Sequence, residues 1–455
     1  MKFKDKYTKR LLNVIPGGCH TYSRGADTFP QNAPSILEKG KGVYIFDRDG
    51  NKFLDYGMGL RSVNIGYSEN AIDKAAISAI RKGNTLTRPS MIELKAAELF
   101  VSLIDNADMV KFTKNGSTAV TAAIKLARAY TGKKIVLRCA DQPFFSYDDW
   151  FIGSTQVPRG VTNETRKLTK QFNYNNIENL KKQIKKYKDK IACVVLEPSS
   201  IECPQINSKS TPCCQKAFCD RGFKNKGHFL KEVEKTCKEN NIVFILDEMI
   251  TGFRWDLKGA QKFYNVKPDL STFGKAMANG FSVAAICGKK EIMELGSITN
   301  FNEEKVFLLS TTHGAEMNGL SAFIETVKFL KKNQVIRKNW EFGSKLIKEA
   351  NKISYSMGIS DYFNFSGVAC SPYYICLNEN KKNSLEFRTL FIQEMLKSKI
   401  LMPWVSIAYR HNNFVLDNTL NALEKTLFIY KKALKNGVKK FLKGHVIKPV
   451  FRKFN

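Results

Sequence analysis

"NIVFILDEMITGFRWDLKGAQKFYNVKPDLSTFGKAMANG", residues 241–280, contains two charged side chains that each follow an apolar run. The first run ends at Asp247, and a shorter run comes just before Lys275, 28 residues later. Such runs predict buried strands. Open α/β sheets bind ligands at the carboxyl ends of parallel strands, so both side chains are expected in one crevice. A buried carboxylate needs a cation, which can be this lysine or a structural arginine.

Similar apolar runs alternate with helical periodicity through the middle of the chain. Buried strands are predicted at 134–139, 191–198, 241–248 and 282–288. Helices are predicted from Ser117 and from Gly227. This alternation predicts an α/β domain with a mostly parallel sheet.

The two flanks of this region have a different pattern. "GVYIFDRDGNKFLDY", from Gly42, has two alternating runs around the pair Asp49-Gly50, which predicts a β-hairpin. After about residue 325, long amphipathic stretches predict helices. We therefore predict a large domain at 61–324 and a smaller α+β domain built from residues 1–60 and 325–455.

The composition is that of a soluble globular protein with a strong positive charge. Of the 455 residues 43% are hydrophobic and 25% charged, and the formal net charge is +31. Lysine-rich coding bias explains such a balance without any function and is the favoured interpretation, and a nucleic-acid or anionic-membrane partner is the alternative. Residues 430–455 contain no Asp or Glu, which predicts a solvated, partly helical basic tail or a segment that lies on phosphate-rich surfaces. No specific nucleic-acid partner is predicted.

Three observations predict a cytoplasmic protein. The sequence begins without the pattern of a signal peptide, and no apolar run is long enough to span a membrane. The eleven cysteines are an odd number spread along the chain, which indicates reduced thiols. Four of them cluster without the paired spacing of a zinc site, so no metal is predicted: Cys203, Cys213, Cys214 and Cys219.

A third component of a ligand site lies at "KNGSTAV", residues 114–120, where a Gly/Ser/Thr turn leads directly into a helix. The backbone amides of such a turn can hold a phosphate, although Ser or Thr there is also an ordinary helix cap. A phosphate cradle, a strand-end carboxylate and a lysine on a turn are together what pyridoxal phosphate needs.

The segment "LDEMITGFRWDLKGAQKFYNVKPDLSTFGKAMANG", residues 246–280, resembles the signature of class III aminotransferases. The likeness is strongest to the glutamate-1-semialdehyde 2,1-aminomutase group and its relatives in surface-polysaccharide gene clusters, and it runs from about residue 13 to about residue 430. It implies a fold-type I transferase with a seven-stranded, mostly parallel sheet, pyridoxal 5′-phosphate that alternates with its pyridoxamine form, and a homodimer with shared active sites.

The resemblance also implies roles for residues near the cofactor ring. Lys275 becomes the lysine that binds the cofactor and moves protons, and Asp247 becomes the partner of the pyridine nitrogen. Met249 packs under the ring, or is simply core. "QPFFSYDDW" occupies the place of an aromatic residue followed by His-Gly, so Phe144 stacks on the ring unless it packs in the core. Phe145 then replaces the family's histidine, and Ser146 its glycine.

Further residues are implied in phosphate and substrate binding. Gly116, Ser117 and Thr118 match the phosphate loop, and Thr312 matches a threonine that is lent to the neighbouring subunit's phosphate. Arg24, in "IPGGCHTYSRGAD", matches an arginine that binds a substrate carboxylate, and a planar guanidinium suits that group. Glu197 borders the substrate site or caps its strand.

The sequence therefore predicts an enzyme of amino-group transfer, an aminotransferase or aminomutase. Its expected substrate is a carbohydrate or surface-polysaccharide precursor, or an amino-aldehyde or keto compound. A true glutamate-1-semialdehyde 2,1-aminomutase is the alternative, because only the departures at Phe145 and Ser146 and the insertion at 203–226 argue against it. A non-catalytic protein that binds nucleic acid or another anionic surface is the alternative of a different class, and it leaves Asp247 and Lys275 unexplained.

Overall fold

A computed structural model describes residues 5–199, 202–205, 228–299 and 304–454. The strands of the described part are β1 Leu37–Lys41, β2 Tyr44–Asp47, β3 Lys52–Asp55, β4 Met109–Thr113, β5 Ile135–Cys139, β6 Thr169–Phe172, β7 Ile191–Leu196, β8 Val243–Glu248, β9 Leu270–Phe273, β10 Ala284–Gly288, β11 Phe363–Val368, β12 Ser371–Cys376 and β13 Ile400–Leu401.

The α-helices of the same residues are α1 Lys6–Val14, α2 Met58–Arg61, α3 Asn70–Ile80, α4 Met91–Leu103, α5 Gly116–Thr131, α6 Asp149–Ile152, α7 Asn163–Lys167, α8 Ile177–Lys186, α9 Phe229–Glu239, α10 Ala260–Phe263, α11 Lys290–Met293, α12 Met317–Lys332, α13 Val335–Ser356, α14 Leu385–Lys397 and α15 Asn413–Asn436. By its internal contacts the chain divides into two compact units. The first comprises residues 1–60, 64–69 and 337–455, and the second comprises 61–63 and 70–336.

The second unit is built on a seven-stranded sheet in the order β4-β10-β9-β8-β7-β5-β6. Strands β6, β5, β7, β8 and β9 pair in parallel, whereas β10 is antiparallel to both β4 and β9. Every residue of β5, β7, β8, β9 and β10 is buried, which explains their continuous apolar runs. The predicted α/β fold with a mostly parallel sheet is confirmed.

The first unit contains the predicted hairpin. Strands β2 and β3 pair antiparallel, and Gly50 in the connection has a φ of +80°, a conformation that glycine adopts without strain. Strand β13 adds to β3 in parallel and completes a four-stranded sheet. Strands β11 and β12 form a separate antiparallel pair.

The segment after residue 430 is partly helical, as predicted, and most of its lysines are exposed. It is not a free tail, because the chain beyond Asn436 packs against the rest of the first unit, where Val438 and Ile447 are buried. No helix of the described residues is long and apolar enough to cross a membrane.

The cysteines are mostly buried free thiols in the described part of the chain. Cys139, Cys193, Cys237, Cys287, Cys370 and Cys376 are buried, and Cys19 is half-buried. Cys203 is disulfide-bonded, so the prediction of uniformly reduced thiols is wrong. The other three cysteines of its cluster lie outside the described residues.

Candidate active site

Three candidate residues lie at the ends of three neighbouring strands. Glu197 follows β7, Asp247 is the penultimate residue of β8, and Lys275 lies two residues beyond β9. These strands are adjacent and parallel, so their carboxyl ends meet at one edge of the sheet. The order of the strands therefore brings these three residues to the same edge of the sheet, where the sequence predicted a ligand crevice.

The Asp247 carboxylate is held in a buried position by two hydrogen bonds to one oxygen. Its Oδ1 accepts the Met249 backbone N–H at 2.9 Å and the Thr272 hydroxyl at 3.3 Å. Burial, and then the nearby Glu197 carboxylate, raise the pKa of Asp247 to about 7. Lys275 and the two hydrogen bonds favour the ionised carboxylate and oppose this rise in its pKa.

Lys275 lies on a turn at the start of a short 3₁₀ segment, Lys275–Ala278. Its φ of +41° is in the left-handed region, which is strained for a residue with a side chain. Burial lowers the pKa of its ammonium group below the usual value, and Arg61 and Arg254 lower it further, whereas Asp247 and Glu197 oppose this shift. A lysine with a lowered pKa carries more neutral, nucleophilic amine.

Met249 fills the space between the lysine turn and the predicted phosphate turn. A β-carbon added at Gly116 or at Gly274 would lie 2.7 Å from the Met249 sulfur, closer than side chains pack. The same side chain packs with Ala119 and Ala284 in a small buried cluster. A β-carbon at either glycine would therefore force the Met249 side chain to move.

The Gly/Ser/Thr turn opens helix α5, and its cap is Asn115. The Asn115 side chain accepts the Thr118 N–H at 2.9 Å and the Thr118 hydroxyl at 3.1 Å. Ser117 is buried, and its hydroxyl accepts the Tyr147 N–H at 3.2 Å. The alternative that Ser117 or Thr118 is merely the helix cap therefore fails, since Asn115 performs that role.

The aromatic segment after β5 has one exposed and one buried phenylalanine. Phe144 is 45% exposed and packs edge-on against Phe151, so it is not core. Phe145 is buried, and the buried Ser146 hydroxyl lies 3.1 Å from the Thr121 hydroxyl and 3.2 Å from Asp148 Oδ2. Phe145 and Ser146 therefore pack and hydrogen-bond inside the protein at the two places where the sequence departs from the pattern that it resembles.

Glu197 is fixed through its backbone by a residue that the sequence did not single out. The Gln142 side chain donates to Glu197 O and accepts from Glu197 N, both at 2.8 Å. Both residues are buried, and the Glu197 carboxylate is close enough to raise the pKa of Asp247. A single buried glutamine thus sets the position of the strand end.

Two predicted residues are not among this group. Arg24 is exposed in a 3₁₀ turn, Tyr22–Arg24, of the first unit. Thr312 is exposed in a turn that precedes α12.

Sequence reasoning also missed Thr272 and Arg254. Thr272 lies directly opposite Asp247 in the pair of β8 and β9, and only this pairing indicates that it contacts the carboxylate. The sequence of β9 alone contains no such indication. Arg254 is buried and donates to Arg61 O at 2.7 Å, and its place in the quoted Thr-Gly-Phe-Arg segment was the available signal.

Comparisons with known proteins identify the family of this chain. The family model "Aminotransferase class-III" matches residues 26–204 and 222–361. The 3-aminobutyryl-CoA aminotransferase of Cloacimonas acidaminovorans is 30% identical over 425 residues, which are 92% of this chain and 95% of that protein. The glutamate-1-semialdehyde 2,1-aminomutase of Nitrosopumilus maritimus is 30% identical over 440 residues, 93% of this chain and 96% of that protein.

A solved structure has the same fold at lower identity. The PLP form of the Sphingopyxis sp. MTA144 FumI protein superposes with a TM-score of 0.81 at 22% identity, covering 94% of this chain and 97% of that one. The family match extends over most of the chain, and class III aminotransferases use pyridoxal phosphate. The chain belongs to the class III aminotransferase family, and it is an enzyme of that family.

Proposed function

We propose that the enzyme transfers an amino group between an amino donor and a carbonyl acceptor, with Lys275 and Asp247 as its catalytic residues. The observation that carries this assignment is the convergence of Lys275, Asp247 and Glu197 at adjacent strand ends, in a site where burial lowers the pKa of the lysine. When bound, pyridoxal phosphate supplies an electron sink for the donor's Cα carbanion.

The residues present fit this cofactor. Lys275 provides a neutral amine for covalent attachment, and the same amine can accept and return the Cα proton of the donor. Asp247 provides a buried carboxylate, which a protonated pyridine nitrogen would hold in its ionised form. Met249 provides an apolar floor between Gly116 and Gly274.

The phosphate is assigned to the first turn of α5. The helix has 16 residues, and its N-terminal amides, including those of Gly116, Ser117 and Thr118, favour an anion. The exposed Thr312 is assigned to the phosphate of a second copy of the chain, so we propose a homodimer with shared active sites. Phe144 is assigned to stacking on the ring, which its exposed face permits. We also propose that the enzyme is cytoplasmic.

The proposed substrate class rests on Arg24 and on the two positions, Phe145 and Ser146, where the sequence differs from the family pattern. Phe145 is buried and apolar, so it offers no hydrogen bond to a substrate at the place of the family's histidine. Arg24 is proposed to bind a carboxylate, and Glu197 to border the substrate. A carbohydrate or polysaccharide precursor, or a keto or amino-aldehyde compound, is the proposed acceptor. Glutamate-1-semialdehyde is the substrate of the alternative, since an aminomutase of that name is 30% identical.

The visible absorption spectrum tests this function. We expect a band at about 410–430 nm in the wild type after incubation with pyridoxal phosphate, and its loss in Lys275→Ala. Lys267→Ala is the control, because it removes an exposed lysine charge from the same segment and should keep the band. A wild type that stays colourless would contradict the proposal.

Titration of this band distinguishes the substrates. Amino donors such as glutamate should bleach it, and an acceptor panel should restore it. Conversion of glutamate-1-semialdehyde without any second substrate would identify the mutase alternative. The formal charge of +31 leaves an anionic-surface protein as the rival of another class. That rival predicts binding to nucleic acid that weakens steeply with salt and survives Lys275→Ala.

A further inference from the structure

Residues 441–452, which we call the strap, lie along helix α14 of the first unit. Lys443 N donates to the Gln393 side chain at 2.7 Å, and that side chain donates to Phe441 O at 3.0 Å. Ile447 is buried, and its N–H donates to the Thr389 hydroxyl at 3.0 Å. Backbone groups of the strap are therefore hydrogen-bonded to two side chains of α14, Gln393 and Thr389.

The strap also contacts residues 21–32, which we call the arm because they include Arg24. Lys448 N donates to Asp27 O at 2.8 Å, and His445 Nε2 lies 2.9 Å from Phe29 O. Gly444 approaches so closely that a β-carbon there would overlap the Gln31 side chain. The arm is thus held by a segment more than 400 residues later in the chain.

The strap also neutralises the carboxylate nearest to Arg24 in sequence. The Arg452 guanidinium forms an ion pair with Asp27, and both side chains are 23% exposed. The other Asp27 oxygen, Oδ1, lies beside Gly25, the residue after Arg24, where it would be 2.6 Å from an added β-carbon. Arg24 itself has no salt-bridge partner in the part of the chain that the structure describes. Arg452 thus supplies the counter-charge for a carboxylate in the same short segment as Arg24.

We propose that the strap, through Arg452 and His445, positions the arm and keeps Arg24 available for the carboxylate of an amino donor or acceptor. The inference deepens the proposed function and rests on it for the role of Arg24. Arg452 is a positioning residue here, since it acts through Asp27. Its loss has two consequences, because the arm loses an anchor and Asp27 becomes an unpaired negative charge three residues from Arg24.

Amide hydrogen exchange on the full-length protein tests the structural half. We expect exchange in residues 22–29 to be about tenfold faster in Arg452→Ala than in the wild type, whereas β7 and β8 keep their rates. Arg452→Lys retains the charge and should restore most of the protection. Lys453→Ala is the matched control, because it removes an adjacent exposed cation that does not contact Asp27. Unchanged arm exchange in Arg452→Ala would overturn the proposal.

Binding of a carboxylate probe to the holoenzyme tests the functional half. We expect Arg452→Ala to weaken binding of glutarate about tenfold, measured by the change in the cofactor band or by calorimetry. The maximal rate with an amine that lacks a carboxylate, such as isopropylamine, should stay unchanged. The rate with a carboxylate donor should fall through a higher KM. His445→Ala provides a second variant that leaves the ion pair intact.

A double-mutant cycle decides whether the effect passes through Arg24. If the strap acts through that residue, Arg452→Ala should have no further effect on glutarate binding in an Arg24→Ala background. Additive losses would overturn the inference and assign the strap a purely structural role. The two hypotheses fail separately: a wild type without a cofactor band refutes the proposed function, whereas an intact band with an unchanged arm refutes the strap.

Discussion

Thr272 lies opposite Asp247 in the parallel pair of β8 and β9, and its hydroxyl donates a hydrogen bond of 3.3 Å to Asp247 Oδ1. This bond favours the ionised carboxylate against the burial that raises its pKa to about 7. The hydroxyl therefore helps to keep the carboxylate ready for a cationic partner.

Replacement of this hydroxyl should weaken cofactor binding. In Thr272→Val the carboxylate loses a donor, so its pKa should rise further and the Kd for pyridoxal phosphate should increase about fivefold at neutral pH. Thr272→Ser keeps the hydroxyl and should bind as the wild type does. Titration of the apoprotein by fluorescence provides the Kd, and equal affinities for the Val and Ser variants would contradict the role.

The stability of the apoprotein should reveal the raised pKa of Asp247. Between pH 3.8 and about 7 the folded chain retains a proton that the unfolded chain releases. The free energy of unfolding should therefore fall as pH rises through this window, by at most about 1.4 kcal/mol per pH unit for this group. Asp247→Asn should flatten the curve.

The buried Glu248 complicates that measurement, since its pKa is also raised to about 7. Urea unfolding should thus be compared between wild type and Asp247→Asn, so that Glu248 contributes equally to both curves. A difference between the two curves that does not change with pH would refute the assignment.

Gly274→Ala should disturb the cofactor site through Met249. The added β-carbon would lie 2.7 Å from the sulfur and 3.3 Å from the Ala284 β-carbon, and the φ of −179° at this position is one that alanine adopts, so the contact with Met249 is the main cause of the effect. We expect about 1–3 kcal/mol of destabilisation and weaker cofactor binding. In a Met249→Ala background only the 3.3 Å contact with Ala284 remains, so the same substitution should have a much smaller effect. Equal effects in both backgrounds would exclude the Met249 contact as the cause.

Gln142→Ala should loosen the end of β7. The Glu197 N–H and C=O would lose their partner while buried, so thermal unfolding should show about 1–3 kcal/mol of destabilisation. Gln171→Ala is a suitable control, because this glutamine also donates to a backbone carbonyl, Ser154 O, but is exposed. A comparable loss in both variants would show that burial at Glu197 is not the cause.

Local sequence patterns predicted most of the large sheet. The runs that became β5, β7, β8 and β10 were long and apolar enough to be found without pairing partners. The direction of β10 was not predictable, because a strand buried on both faces has the same composition in either orientation.

The candidate site was predictable only where chemistry requires particular residue types. Asp247 and Lys275 lie at strand ends with a specific spacing in the sequence. Gln142, in contrast, is hydrogen-bonded to Glu197, which is 55 residues away, and no local pattern indicates that contact. The docking of the strap was missed for the same reason. His445 and Phe29 are 416 residues apart, and a run of basic residues looks identical whether it is solvated or bound.

The burial of the thiols has a practical consequence for spectroscopy. Six of the seven free cysteines in the described residues are buried, and burial raises the pKa of Cys139, Cys193 and Cys376 to about 12. Alkylating reagents attack thiolates, so these cysteines should not react in the folded enzyme. Cys19 is half-buried and lies five residues before Arg24. Once Cys203 and the three cysteines outside the described residues are replaced, a fluorophore attached to Cys19 at mildly alkaline pH would report movement at the start of the arm in real time.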